Sequence, residues 1–325
     1  MWKMSVSRFT NNVLLNCNRL RRQLLDNTYK ISPYSVFIIY EPKERRIVST
    51  KIRDRVFQRS LCDNYLTEHI TKSFIYDNCA CQKGKGTHFA RKRLKYLLQR
   101  FYKKNGINGY VLQCDIKNFF GSTPHWVAKE AVKKRVKDKW VLQKVNDIID
   151  SFNNDKDPEI GMGLGSQVTQ IIQLAVLDDL DHYIKEKLGI KEYIRYNDDF
   201  ILLHGDKDFL RKCKAIIQNQ LCQMGFILSK KKTQIFPLYR RVKFLGFAFQ
   251  INHTGKCIIR LLHEKISKKK RKLKRMINLF FIGKLTKKNM DDSYNSWKSH
   301  IKYGNTHNFL SCMNIFYHKL FLQRE

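Results

Sequence analysis

The sequence predicts an α+β fold, one small antiparallel sheet with helices around it. Three observations carry that expectation. The apolar runs are strand-sized, as in Val36-Phe37-Ile38-Ile39-Tyr40, and turn residues bound several of them. Longer segments with helical spacing lie between these runs. No internal repeat, Pro-rich linker or Gly/Ser tract divides the 325 residues.

Taken in order, residues 4–25 read as a basic helix, and 35–40 and 45–49 as strands joined by Glu41-Pro42-Lys43-Glu44. Helices follow at 53–68 and 88–103, the second with Thr87 as its N-cap. Residues 109–114 make a short strand that ends at Asp115. Thr123 reads as an N-cap with Pro124 at the first helical position, and two helices fill 124–151. After the Gly-rich stretch 161–165, one long amphipathic helix spans 166–187. Tyr193-Ile194-Arg195-Tyr196 and Phe200-Ile201-Leu202-Leu203 read as two strands around a tight acidic turn. A helix at 207–224 precedes strands at 233–236, 242–250 and 256–260. From His263 onward the pattern is helical, with Ile266, Leu273, Ile277 and Phe280 near one face.

Composition narrows the function classes. Lys and Arg number 63 against 28 Asp and Glu, for a formal charge of +35. Such a charge repels itself and points to nucleic acid or an anionic surface. No apolar run approaches a membrane span, and the N-terminus lacks the apolar region and cleavage site of a signal peptide. A cytoplasmic nucleic-acid protein without a membrane association is expected. The nine cysteines are expected as reduced thiols, and Cys79-x-Cys81 with His88 lacks the second pair a zinc site needs.

The acid pair Asp198-Asp199 carries the chemistry. Two adjacent carboxylates emerging from apolar strands repel each other, and oxygen ligands on a rigid hairpin suit Mg²⁺. Two-metal phosphoryl transfer needs a further carboxylate. Asp115, at the end of the apolar strand Tyr110-Val111-Leu112, is the candidate.

These residues resemble a known family. Asp115-Ile116-Lys117-Asn118-Phe119-Phe120 resembles the first palm motif of reverse transcriptases, and Tyr196-Asn197-Asp198-Asp199 their Tyr-x-Asp-Asp box. Gly225 to Ser229 with Lys232-Thr233 is similar to the Lys-bearing motif, and Phe244-Leu245-Gly246-Phe247 to the primer-grip hairpin. Residues 40–47 and Asp54-Arg55-Val56 resemble the fingers motifs. All stand in the family's order, from about residue 20 to the C-terminus. Bacterial group II intron and retron enzymes are the broader group. Leu164-Gly165-Ser166-Gln167-Val168-Thr169-Gln170 resembles the form found in diversity-generating retroelements, with Thr169 for the usual Ser and Asn197 for the usual apolar residue.

The resemblance implies a right-hand polymerase. Fingers would cover 1–108, palm 109–252 with a fingers insertion at about 122–165, and a helical thumb 253–325. It implies an RNA-directed DNA polymerase with two Mg²⁺ ions, or Mn²⁺, held by Asp115, Asp198, Asp199 and the Ile116 carbonyl. Lys232 would protonate the leaving pyrophosphate. Lys43, Arg45, Phe120, Gly165 and Gln170 would contact the dNTP, with Phe120 as the steric gate. Phe244, Leu245 and Gly246 would grip the primer. Lys268, Lys269, Lys272 and Arg275 would track the duplex, from a segment, 264–276, with eight Lys/Arg. Implied partners are the template RNA, its RNA–DNA hybrid, dNTPs and a small basic accessory protein. RNase H or endonuclease activity is expected to come from elsewhere. Three roles are open at this point: a diversity-generating enzyme, an antiphage-defence enzyme of the same fold, and an inactive RNA-binding scaffold, against which the intact acids argue.

Overall fold

The computed structural model describes residues 4–40, 44–152 and 157–322. Two compact units make up the chain. One comprises Met1–Gly86, Leu112–Leu202 and Asp208–Gln234; the other comprises Thr87–Val111, Leu203–Lys207 and Ile235–Glu325.

The first unit opens with α1 (Met4–Asn11) and α2 (Val13–Leu25). The single expected helix is divided at Asn12, whose φ of −127° is not helical. Strands β1 (Ser35–Ile39) and β2 (Arg45–Ser49) pair antiparallel, Ser35 with Ser49 and Ile39 with Arg45. Helix α3 (Ile52–Leu61) continues through a π-helical turn, Cys62–Leu66, into α4 (Thr67–Thr71).

Helix α5 (Thr87–Asn105) leads to β3 (Tyr110–Asp115), followed by α6 (Phe119–Ser122), α7 (His125–Lys133) and α8 (Lys139–Asp150). Thr123 does not cap α7. Its buried hydroxyl donates to the Phe119 carbonyl at 2.8 Å and accepts from Gln173 at 2.7 Å. The extended Pro124 therefore takes the cap position, one residue later than expected.

The expected helix 166–187 is three pieces: α9 (Gln167–Val176), α10 (Asp178–His182) and a π-helical turn, Tyr183–Lys187. Ser166 caps α9, its hydroxyl accepting from the Thr169 N–H. The break falls at Leu177, whose φ of −100° and ψ of 6° leave the helical region. Beyond it, Asp178 and Asp181 enter the core to meet Arg135 and Arg195, and a carboxylate is buried only against a partner.

Strands β4 (Tyr193–Tyr196) and β5 (Asp199–His204) pair from Tyr193 with Leu202 to Tyr196 with Asp199. Helix α11 (Lys207–Gln223) and β6 (Gln234–Pro237) follow, and the four-stranded sheet has the order β4-β5-β3-β6.

In the second unit, β7 (Val242–Phe244), β8 (Phe247–Ile251) and β9 (Cys257–Leu261) form a meander. The expected strand 242–250 is two strands, because Leu245 and Gly246 have φ of 46° and 88° and reverse the chain. The described residues thus form three sheets, where one was expected. Helices α12 (His263–Phe281), α13 (Lys287–Ile301) and α14 (His307–Leu322) complete the chain. They share a core of Leu273, Ile277, Met290, Tyr294, Met313, Tyr317 and Leu320. Tyr294 and Tyr317 stack at its centre, 4.3 Å apart and 8° from parallel.

Candidate active site

Hydrogen bonding of β3 to its neighbours brings the three acids together. Asp115 is the last residue of β3, Asp199 the first of β5, and Asp198 sits in the two-residue turn between β4 and β5. The Ile116 N–H donates to the Asp198 carbonyl at 3.3 Å, which fastens the turn to the end of β3. On the other side Ser229 N–H donates to the Asp115 carbonyl at 2.7 Å and Lys117 N–H to that of Ile227 at 2.8 Å. Asn197 occupies the left-handed turn position with φ 55°. An amide side chain tolerates that conformation better than a branched apolar one, which gives Asn197 a backbone reason.

Each acid has a different environment. The Asp115 carboxylate accepts from Lys232 Nζ at 2.6 Å. Asp199 accepts from Gln113 Nε2 at 3.3 Å. Gln113 stands two residues before Asp115, so both share one face of β3. That spacing was a readable signal, and Gln113 was missed. Burial pushes the Asp199 carboxyl up to about 7; Gln113 pulls it down, while the charges of Asp115 and Asp198 add to the rise. Burial also raises Asp198, and Asp115 adds to it, against the pull of Lys232 and Arg45. Arg45 on β2 is therefore within electrostatic reach of the acids.

Among the described residues no three His, Cys, Asp or Glu side chains converge to cage an ion by themselves. Mg²⁺ dehydrates reluctantly and binds through one or two carboxylates plus substrate phosphates, and Asp115 and Asp198 are two carboxylates within electrostatic reach of each other. Desolvated carboxylates raised by mutual repulsion are relieved by a cation. The donor set of Asp115, Asp198, Asp199 and the Ile116 carbonyl is thus a hard-oxygen set suited to it.

The other expected contacts are placed as follows. Phe120 is half-buried on α6, edge-to-face with the buried Phe119. Gly165 is exposed with φ 121°, and a side chain there would meet the Val48 carbonyl of β2 at 3.7 Å. Gln170 is exposed on α9. Lys43 lies outside the described residues.

A groove of ≈ 750 Å³ lies within the second unit. Leu245, Gly246, Lys268, Lys269 and Lys272 line it together with Arg91 and Trp297. Phe244 is instead buried in the meander, and Arg275 is exposed on α12. Lys269 differs from its neighbours. It is 7% exposed and donates to the Ser293 carbonyl at 2.9 Å. Burial, and next the charge of Lys272, lower its pKa to about 8. Its ammonium is committed to the α12–α13 contact. Arg91, not anticipated from the sequence, donates to the Leu245 carbonyl at 2.7 Å.

Comparison with known proteins bears on this arrangement. The family described as reverse transcriptase (RNA-dependent DNA polymerase) matches residues 41–249. A COX1/OXI3 intron 2 protein of Saccharomyces cerevisiae is 24% identical over 202 residues, which is 57% of this chain and 22% of that protein. Telomerase from Candida albicans, solved with a fragment of telomeric RNA, superposes with a TM-score of 0.56 at 12% identity, covering 87% of this chain and 59% of that one. Apo telomerase from Candida tropicalis, truncated from its C-terminal domain, gives 0.50 at 15% identity over 72% and 56% of the two chains. This chain spans about a fifth of the curated relative's length and under two thirds of either solved chain. The likeness to the solved structures is one of fold, the right-hand polymerase fold. Among the described residues no helix is long and apolar enough to cross a membrane.

Proposed function

The chain belongs to the reverse transcriptase (RNA-dependent DNA polymerase) family, and we propose that it copies a dedicated template RNA into cDNA. The observation that supports this most directly is the convergence of Asp115, Asp198 and Lys232 at the ends of β3 and β5. In this reading a primer 3′-hydroxyl attacks the α-phosphate of a dNTP and pyrophosphate leaves. Two Mg²⁺ ions, or Mn²⁺, held by Asp115, Asp198, Asp199 and the Ile116 carbonyl would supply charge stabilisation to that in-line displacement. Asp199, anchored by Gln113, fixes the acidic edge of the sheet. Lys232 Nζ, already at the Asp115 carboxylate, is the proton donor to the leaving oxygen. Arg45, and Lys43 beside it in sequence, offer cationic heads to the triphosphate. Gly165 and Gln170 flank the templating base, and the Phe120 ring excludes a ribose 2′-hydroxyl. Residues 1–108, 109–252 and 253–325 serve as fingers, palm and thumb.

In the second unit Leu245 and Gly246 hold the primer strand. Exposed Lys268, Lys272 and Arg275 follow the hybrid backbone, with affinity that falls as salt rises. The +35 charge supports a structured RNA bound over several faces, with a small basic accessory protein as a further partner. The Leu164-to-Gln170 segment supports a diversity-generating role with error-prone copying of template adenines; antiphage defence is the competing role.

The test is dNTP incorporation by the purified protein with its copurified RNA and Mg²⁺, wild type beside Asp198→Asn, followed by sequencing of the DNA. Loss of incorporation in the variant is expected. Mismatches concentrated at template adenines support the diversifying role, and faithful or repetitive products favour defence. A wild type inert with its native RNA and any accessory protein supplied would leave only the RNA-binding scaffold.

A further inference from the structure

We propose that Arg195, paired with Asp181, is a positioning residue that holds the acidic turn through the backbone carbonyl of Asn197. The catalytic part of this inference rests on the polymerase reading above; its conformational part does not.

The sequence already marks Arg195 as odd, a charge in the middle of Tyr193-Ile194-Arg195-Tyr196. The structure buries it completely, side chain and all, and Asp181 with it. The guanidinium grips Asp181 with two bonds, Nε to Oδ1 at 2.7 Å and Nη2 to Oδ2 at 2.5 Å. Nη2 also donates to the Leu174 carbonyl of α9 at 3.0 Å, and Nη1 donates to the Asn197 carbonyl at 3.1 Å. Tyr193 donates to Asp181 Oδ1 at 2.6 Å. The main chain of Arg195 is held as well: its N–H donates to the Asp77 carbonyl and its carbonyl accepts from Cys79.

Such a pair is a poor device for stability alone. Desolvating the two ions costs several kcal/mol each, and well-packed apolar residues of similar volume often serve as well or better. What apolar residues cannot supply is a directed, charge-assisted bond to a carbonyl. The Asn197 carbonyl belongs to the peptide that carries Asp198. The Asp198 carbonyl is bonded in turn by Ile116 N–H. The two consecutive peptides that aim both carboxylates are thus fixed, one by Arg195 and one by β3. Because Asp181 neutralises the guanidinium, Arg195 acts on the acids through the backbone and not through its field.

The same device recurs in the second unit. Arg91, 2% exposed, donates to the carbonyl of Leu245, which like Asn197 has a left-handed φ. A leucine in that region is strained and persists only where its surroundings impose it.

The experiment compares wild type with Arg195→Lys and with the apolar combination Arg195→Met, Asp181→Leu, Tyr193→Phe, which leaves no buried charge unpaired. Hydrogen exchange of the 193–204 segment and steady-state incorporation are both read, with thermal melting to verify folding. The combination is expected to melt as a folded protein, with turn amides exchanging at least tenfold faster. Its kcat is expected to fall at least tenfold, with the KM for dNTP within threefold of wild type. Arg195→Lys, which keeps the charge and loses the fork, should show the same changes in smaller measure. A folded combination with wild-type exchange and kcat overturns the proposal, as does an Arg195→Lys protein indistinguishable from wild type in both. A wild type that incorporates nothing defeats the polymerase reading alone, and exchange of the turn still decides whether Arg195 positions it.

Discussion

Replacing Asp199 with Asn should make the metal-free protein more stable while abolishing polymerisation. Burial and two neighbouring acids hold the Asp199 carboxyl at about 7 against an ordinary value of 3.8. The unfolded chain therefore releases its proton first as pH rises, so folding loses stability between about pH 4 and pH 7 and stays level above that. At 1.36 kcal/mol per pH unit the ceiling is about 4 kcal/mol. Asp199 keeps some solvent contact, and neighbouring acids share the titration, which brings the expected gain nearer 1–2 kcal/mol. Asn retains the shape and can still meet Gln113 after an amide flip. The assay is thermal melting of both proteins in EDTA from pH 4 to pH 8.5. The variant should melt a few degrees higher at pH 8, with the gap closing toward pH 4. Added Mg²⁺ should raise the wild type more than the variant, since binding to the folded state alone stabilises it. A gap that does not change with pH, or a variant less stable at pH 8, would refute the electrostatic account of the site.

Three further outcomes are expected. Lys232→Ala should lose about 10²–10⁴ in single-turnover incorporation, while its half-exposed ion pair with Asp115 is worth no more than ~1 kcal/mol of stability; Lys232→Arg keeps the charge but cannot give up a proton, so restored activity would dismiss the proton-donor role. Lys269→Met should stabilise the protein by about 1 kcal/mol at pH 7, because the unfolded lysine binds its proton more tightly than the buried one held at about 8; melting curves should show the advantage shrinking toward pH 10, and the salt slope of RNA–DNA binding should be unchanged by it, whereas Lys268→Ala and Lys272→Ala each lower that slope by about one. Gly165→Ala places a side chain at φ 121°, so about 1–3 kcal/mol of strain is expected, together with a higher KM for dNTP in steady-state incorporation.

How much of this was legible depended on whether the cause was local. The acid doublet could be read because its apolar flanks point to a hairpin, and the structure pairs Tyr196 with Asp199 across it. Asp115 could be read as the end of an apolar strand. The burial of Asp178 and Asp181 could not, because the cations that compensate them, Arg135 and Arg195, are brought there by the tertiary fold. Thr123 has the composition of a cap, and a buried Gln173 fifty residues away claims its hydroxyl. Lys269 was hidden within a lysine run, although its place was in the pattern: it precedes Leu273 and Ile277 by four and eight positions, on the buried stripe of α12. Counting charge along that helix identified a basic face, and only its period separates the lysine that packs from those that face solvent.

The two units carry electrostatics of opposite kinds, and this makes their roles separable. In the first, the acids are partly desolvated and coupled to each other, so their state follows pH and bound cations, and dissolved salt screens them little. In the second, Lys268, Lys272 and Arg275 are exposed on α12, where salt competes directly. Raising salt at constant pH should therefore weaken nucleic-acid binding while leaving the turnover of prebound complex nearly constant. Lowering pH from 8 to 6 at constant salt should slow turnover most when Mg²⁺ is scarce, because protonation of the raised Asp199 carboxyl competes with the cation that relieves it. A turnover rate that tracks salt as steeply as binding does would mean that duplex contacts, and not the acids, limit the reaction.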